Sequence, residues 1–211
     1  MNAMTIFNTL SKFILPKAVD FFGNLYRQSL LTREVIVTLH RTHCEKSMSG
    51  DQLKDTIAQV DQLRKKYLSE LNMVMLTPID KEAISRAHLC LDWVVLSVKH
   101  FNTEITIYQI DPSIGYEKIF INLIDQMEII TNSFLKLKNK QYDQILHDME
   151  SVISLDDELI AEYSRQSKVL FEGSSMKDVL TQREILFQLK EVSKHIHICA
   201  NTVEDMVFKM H

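Results

Sequence analysis

The sequence predicts an all-α protein: six helices, most of them long, in two tandem antiparallel three-helix bundles. Three observations predict it. Only four glycines and three prolines occur in 211 residues, so turn signals are scarce and elements must run long. The apolar residues recur at alternating steps of three and four, the period of a helix face rather than the period of two of a strand. The few breakers, Pro16, Gly50, Pro78, Pro112 with Gly115, and Gly173, cut the chain into stretches of helix length. Asn139, after Lys136-Leu137-Lys138, marks one more break.

The first stripe is the loosest: Ala18, Phe22, Leu25, Ser29, Thr32, Ile36 and Leu39. The second is Leu53, Ile57, Val60, Arg64, Tyr67, Leu71 and Val74, with Arg64 its one polar member. Thr77-Pro78-Ile79-Asp80 then places a hydroxyl at N-cap, a proline at N1 and a carboxylate at N3. The third stripe, Ile84, Ala87, Leu91, Val94, Val98, Phe101, Ile105 and Tyr108, follows it. Asp111-Pro112 repeats the cap-plus-proline pattern before a fourth stripe, Phe120, Leu123, Met127, Ile130, Phe134 and Leu137. The fifth is Ile145, Met149, Val152, Asp156, Leu159 and Tyr163, with Asp156 out of character. Ser175-Met176-Lys177-Asp178 forms another cap box ahead of the sixth, Ile185, Leu189, Val192, Ile196, Cys199, Val203 and Met206. Helices of about 20–35 residues would each span about 30–50 Å, and short connections set neighbours antiparallel.

Six such helices are many for a single seam, so two three-helix bundles in tandem are the economical arrangement. The expected organisation is one domain over 1-211, with an N-terminal half at about 16-110 and a C-terminal half at 111-211. Asp61 with Tyr67 and Asp157 with Tyr163, each six residues apart, give a faint internal echo.

Charge and cysteine usage exclude several classes. The net charge is −4 and the isoelectric point is near 6.1. Arg64-Lys65-Lys66 and the lysines at 136, 138 and 140 are the nearest approach to a basic block, and both read as solvated helix surface. No basic stripe for a nucleic-acid duplex is present. Cys44, Cys90 and Cys199 are odd in number, far apart and without a CxxC pair, which points to a reducing, cytoplasmic setting. Cys199 falls on the sixth stripe and reads as a small core residue. Lys12 and Pro16 interrupt the apolar segment Ile6-Phe7…Leu10…Phe13-Ile14-Leu15, and no apolar run approaches the ~18 residues of a membrane span. That segment is amphipathic and is expected to cap the bundle, with contact to a membrane surface as the alternative.

Catalytic signatures are absent: there is no GxGxxG, P-loop, HExxH or GxSxG. No catalytic residue is assigned, and the chain is expected not to be an enzyme. His40 and Cys44 share a helix face at i, i+4, a spacing compatible with metal ligation; with His43 they also fit a plain polar helix end. His195 and His197 point to different faces and cannot chelate together from one helix. Asp61, Asp92 and Asp156 lie at or beside the seams. Inward carboxylates are how helical bundles build metal sites, and carboxylates paired with lysine or arginine at a seam edge are the plain alternative.

Met75-Leu76-Thr77-Pro78-Ile79-Asp80-Lys81-Glu82-Ala83-Ile84 resembles the start of the third helix in PhoU-like proteins of the Pit-accessory type. Leu15-Pro16-Lys17-Ala18-Val19-Asp20-Phe21-Phe22 resembles that family's N-terminal segment. Val169-Leu170-Phe171-Glu172 resembles the end of its fifth helix. Glu184-Ile185 and Asn201-Thr202-Val203-Glu204-Asp205-Met206-Val207 resemble its last helix. The likeness runs through nearly the whole chain in the right order. It implies two tandem three-helix bundles and a non-enzymatic role in inorganic phosphate transport, as an accessory to a low-affinity transporter or as a regulator of uptake.

The family also carries acid pairs four residues apart that hold iron or other hard metals. Here each pair is eroded: Ile57 and Asp61, Asp92 and Leu96, Asp156 and Ile160, with Lys190 and Lys194, then His197 and Asn201, on the last helix. Two expectations follow from the resemblance. The first is a degenerate member that keeps the fold and has no metal cofactor. The second is a reduced site for iron or another divalent metal, drawn from Asp61 and Asp92 in one half or Asp156, His197 and Asn201 in the other. Lys190 and Lys194 share a face and are a lesser candidate for an anion such as phosphate. The expected partner is a phosphate transporter or regulatory protein at the inner membrane face, with no nucleic acid, no membrane span and homo-oligomers open. A metal-binding bundle and a structural helical adaptor are the alternatives.

Overall fold

The computed structural model describes residues 19–111, 115–173 and 175–210. Among these residues are six helices: α1 (Phe21–His43), α2 (Gly50–Met73), α3 (Lys81–Tyr108), α4 (Glu117–Lys138), α5 (Tyr142–Gly173) and α6 (Met176–Phe208). No strand occurs among the described residues. The segment from Ile6 to Leu15, with Pro16, Ala18 and Pro112, lies outside them.

Local chemistry sets the helix ends. The Asp20 carboxylate accepts from the Gly23 N–H at 2.9 Å and caps α1. Ser49 and Gln52 form a reciprocal capping box on α2. The start of α3 differs from expectation. Asp80, not Thr77, is the N-cap, taking the Ala83 N–H at 2.6 Å. The Thr77 hydroxyl is occupied, donating to the Ile79 carbonyl at 2.6 Å. A carboxylate caps well and adds a full charge beside the positive helix end, so the start moves three residues on. Asp111 likewise does not cap α4, which begins after Tyr116 with no side-chain cap; Asp111 instead pairs with Lys46 at 2.6 Å. Ser175 does cap α6, accepting from the Asp178 N–H. Gln109 closes α3 in the left-handed conformation at φ 55°.

Helices α1, α2 and α3 pack against one another, as do α4, α5 and α6; α1 on α4 and α3 on α6 join the two sets. Polar pairs give the directions. Lys138 with Asp20, Arg33 with Glu128 and His40 with Glu117 run α4 antiparallel to α1. Arg86 with Asp205, Ser97 with His195 and Gln188 with Glu104 do the same for α3 and α6. Gln28 meets His88 and His43 meets Asn102, so α1 and α3 lie parallel across their bundle.

The stripes become the interior. Every expected member of the fourth and sixth is buried, as is every member of the third but Tyr108. Together they form one apolar cluster spanning all six helices, each fully buried Leu, Ile, Val or Phe contributing about 1.5–3 kcal/mol. Phe101 on α3 and Phe120 on α4 meet edge-to-face at 5.7 Å across the join. No described helix is long and apolar enough to cross a membrane.

Candidate functional site

Each bundle interrupts its apolar seam at the same register. The second and fifth stripes align as Leu53 with Ile145, Ile57 with Met149, Val60 with Val152, Arg64 with Asp156 and Tyr67 with Leu159. The fourth member is thus ionisable in both, with opposite sign. Asp61 is half-buried whereas Asp157 is exposed, so the echo of Asp61–Tyr67 in Asp157–Tyr163 does not mark equivalent environments.

In the first bundle, Arg64 Nε lies 3.0 Å from Asp92 Oδ1, an ion pair not aligned as a hydrogen bond. Asp61 adds a like charge to Asp92. Burial lifts the Asp92 carboxyl above the ordinary range, Arg64 pulls it back and Asp61 pushes it up. Arg64, and not a second carboxylate, is thus the group in direct contact with Asp92. Beside them, buried Gln28 and His88 bond twice: His88 Nδ1 to Gln28 Oε1 at 2.6 Å, and Gln28 Nε2 to the His88 carbonyl at 3.0 Å. The amide oxygen facing Nδ1 requires the hydrogen there, which fixes the tautomer. Burial, then the nearby Arg64, drives the His88 imidazole down to about 4.

In the second bundle, Asp156 Oδ1 accepts from the Ser193 hydroxyl at 2.6 Å and Oδ2 lies 2.8 Å from His197 Nδ1. Gln126 joins through Ser193 at 2.8 Å and through Asn122 at 2.7 Å. Asp156 and His197 are thus in contact, while Asn201 is exposed. Lys190 and Lys194 do not converge on an anion pocket. Lys190 Nζ sits over the Tyr163 ring at 5.2 Å, and Lys194 pairs with Glu191 at 2.9 Å.

Sequence reasoning missed Gln28, His88, Gln126 and Ser193. Their one signal was position: each sits directly beside an apolar stripe, where a small helix rotation decides whether a side chain is core or surface. It also missed Glu117. Among the described residues, one group of three metal-capable side chains comes together: His40, Cys44 and Glu117, with ligand atoms within 4.8 Å of one another.

Among the described residues, one face of α3 is apolar and partly exposed. Leu89, Trp93 and Leu96, at steps of four and three, are 37%, 42% and 42% exposed. The Trp93 ring leans on His195 of α6 at 6.0 Å, and Ser97 holds His195 Nδ1 at 2.6 Å.

No protein-family model matches the chain, and no curated protein sequence does. Solved structures do. A PhoU-like protein from Shewanella oneidensis MR-1 superposes with a TM-score of 0.70 at 11% identity, over 90% of this chain and 96% of that one. A candidate PhoU-like phosphate regulatory protein from the same organism gives 0.69 at 11% identity over the same shares. This chain has the PhoU-like fold, the six helices of its described residues forming two tandem three-helix bundles.

Proposed function

We propose that this protein is a non-enzymatic accessory or regulatory protein of inorganic phosphate transport, of the Pit-accessory kind. It acts by contact with a transporter or regulator on the cytoplasmic side of the membrane. The observation that carries the reading is the shared fold over nine-tenths of the chain with a candidate PhoU-like phosphate regulatory protein. The TPID-type start of α3, read independently from the sequence, supports the same reading. Contact rather than chemistry is supported by the surface. The Leu89-Trp93-Leu96 face offers an aromatic anchor flanked by leucines, the composition of an interface centre.

A metal centre on the seam carboxylates has less support. Asp92 already faces Arg64, and both oxygens of Asp156 are engaged by Ser193 and His197. Their role in this reading is to hold helices in register.

The test is phosphate uptake in the native host with the coding gene deleted, restored by wild type or by Trp93→Glu. Wild type should restore normal uptake and its response to phosphate. Trp93→Glu, folded by circular dichroism, should behave like the deletion. Uptake unaltered by deletion, with the transporter active, would overturn the proposed role; full restoration by Trp93→Glu would remove the α3 face from it.

A further inference from the structure

We propose that His40, Cys44 and Glu117 form a zinc site that clips the end of α1 to the start of α4. It is independent of the phosphate-transport reading and of the eroded acid pairs, none of whose residues it uses.

The geometry comes from the join between the bundles. His40 lies in the last turn of α1 and is nearly buried, its ring packed against fully buried Phe120 at 5.7 Å. Cys44 is the residue that ends α1, and its N–H bonds back to the His40 carbonyl at 2.8 Å. The i, i+4 spacing therefore puts thiol and imidazole on one face. Glu117 is the first residue of α4 and reaches back, placing Oε1 2.9 Å from His40 Nε2. Its carboxylate also lies within reach of the Cys44 thiol. The three ligand atoms lie within 4.8 Å of one another. A tetrahedral zinc places nitrogen and oxygen ligands roughly 3.3 Å apart and nitrogen and sulfur roughly 3.6 Å apart. Small side-chain rotations suffice, with Glu117 withdrawing by about 0.4 Å to admit the ion.

The ligand set selects the metal. One thiolate, one imidazole and one carboxylate suit zinc, whereas calcium and magnesium want oxygen throughout. The opposite ring nitrogen, His40 Nδ1, faces Glu45 Oε1 at 3.6 Å. A carboxylate there orients a histidine that binds through Nε2. Three protein ligands leave a fourth position for water or a partner's side chain. Glu117 is half-exposed, so the ion has a way in.

Binding exchanges a proton for the ion: the S–H bond of Cys44 breaks, an S–Zn bond forms, and one proton leaves to solvent.

The test is titration of the full, reduced chain with cobalt(II), then zinc. One equivalent of cobalt should give a thiolate-to-cobalt absorption in the near ultraviolet, which zinc abolishes, and zinc should raise the thermal midpoint. Cys44→Ser should lose the absorption. Glu117→Gln, at a half-exposed helix end, should weaken binding at least tenfold while folding normally by circular dichroism. Asp156→Asn should bind as wild type does. No thiolate absorption in wild type, its persistence in Cys44→Ser, equal affinity in Glu117→Gln, or its loss in Asp156→Asn would each overturn the site.

Discussion

Acid should destabilise this protein through His88, and by an amount the structure allows to be worked out. His88 is 1% exposed on α3, with Gln28 holding Nδ1 and the Tyr67 ring 5.8 Å away. In the unfolded chain it titrates near 6.5; in the fold, burial and then Arg64 bring it to about 4. Above pH 6.5 the imidazole is neutral in both states and the fold keeps its full stability. Between 6.5 and about 4 the unfolded chain binds a proton that the fold refuses, so stability falls as pH falls. The separation corresponds to about 3 kcal/mol lost by pH 4. Urea unfolding of wild type and His88→Gln, from pH 7 to pH 4, isolates the effect. His43 and His195, both lowered chiefly by burial, act in the same direction but are common to the two proteins. The stability difference between the two should shrink by about 3 kcal/mol over that range, or about 1–1.5 M in urea midpoint. A difference that stays constant with pH would refute the buried neutral imidazole.

Two further outcomes follow from the polar interruptions. Asp156→Ala leaves Ser193 and His197 without their shared acceptor and should cost about 2–4 kcal/mol by urea unfolding. Asp156→Asn should cost less, since the amide oxygen still accepts one donor, and equal losses in the two would show that volume and not hydrogen bonding matters there. Arg64→Met alone strands the partly buried Asp92 carboxylate and should lower the thermal midpoint, whereas Arg64→Met with Asp92→Leu should be neutral or stabilising. If the double variant is less stable than the single one, the pair contributes more than its desolvation costs.

The helices were legible because their signal is local. A run such as Ile185, Leu189, Val192, Ile196, Cys199, Val203 and Met206 states its own period, and burial follows wherever that stripe meets another. Ser175 with Asp178 was legible as a cap for the same reason: donor and acceptor lie three residues apart. The start of α3 was misplaced within one local choice, between the Thr77 hydroxyl and the Asp80 carboxylate, which Ala83 and Lys209 decided in favour of Asp80.

The contacts that give the protein its chemistry come from afar. The fifth stripe singled out Asp156 and the family resemblance pointed to His197, but Ser193 and Gln126 complete their network only because α4, α5 and α6 pack at one level. His40 and Cys44 carried a ligand spacing in the sequence itself. Glu117 joins them because α4 runs antiparallel to α1 and begins where α1 ends. Periodicity by itself therefore determined six helices, their faces and their core. Only the tertiary structure decided which polar residues beside those faces turn inward and which helix ends meet, because a helix fixes neighbours three and four residues apart and leaves every longer contact to packing.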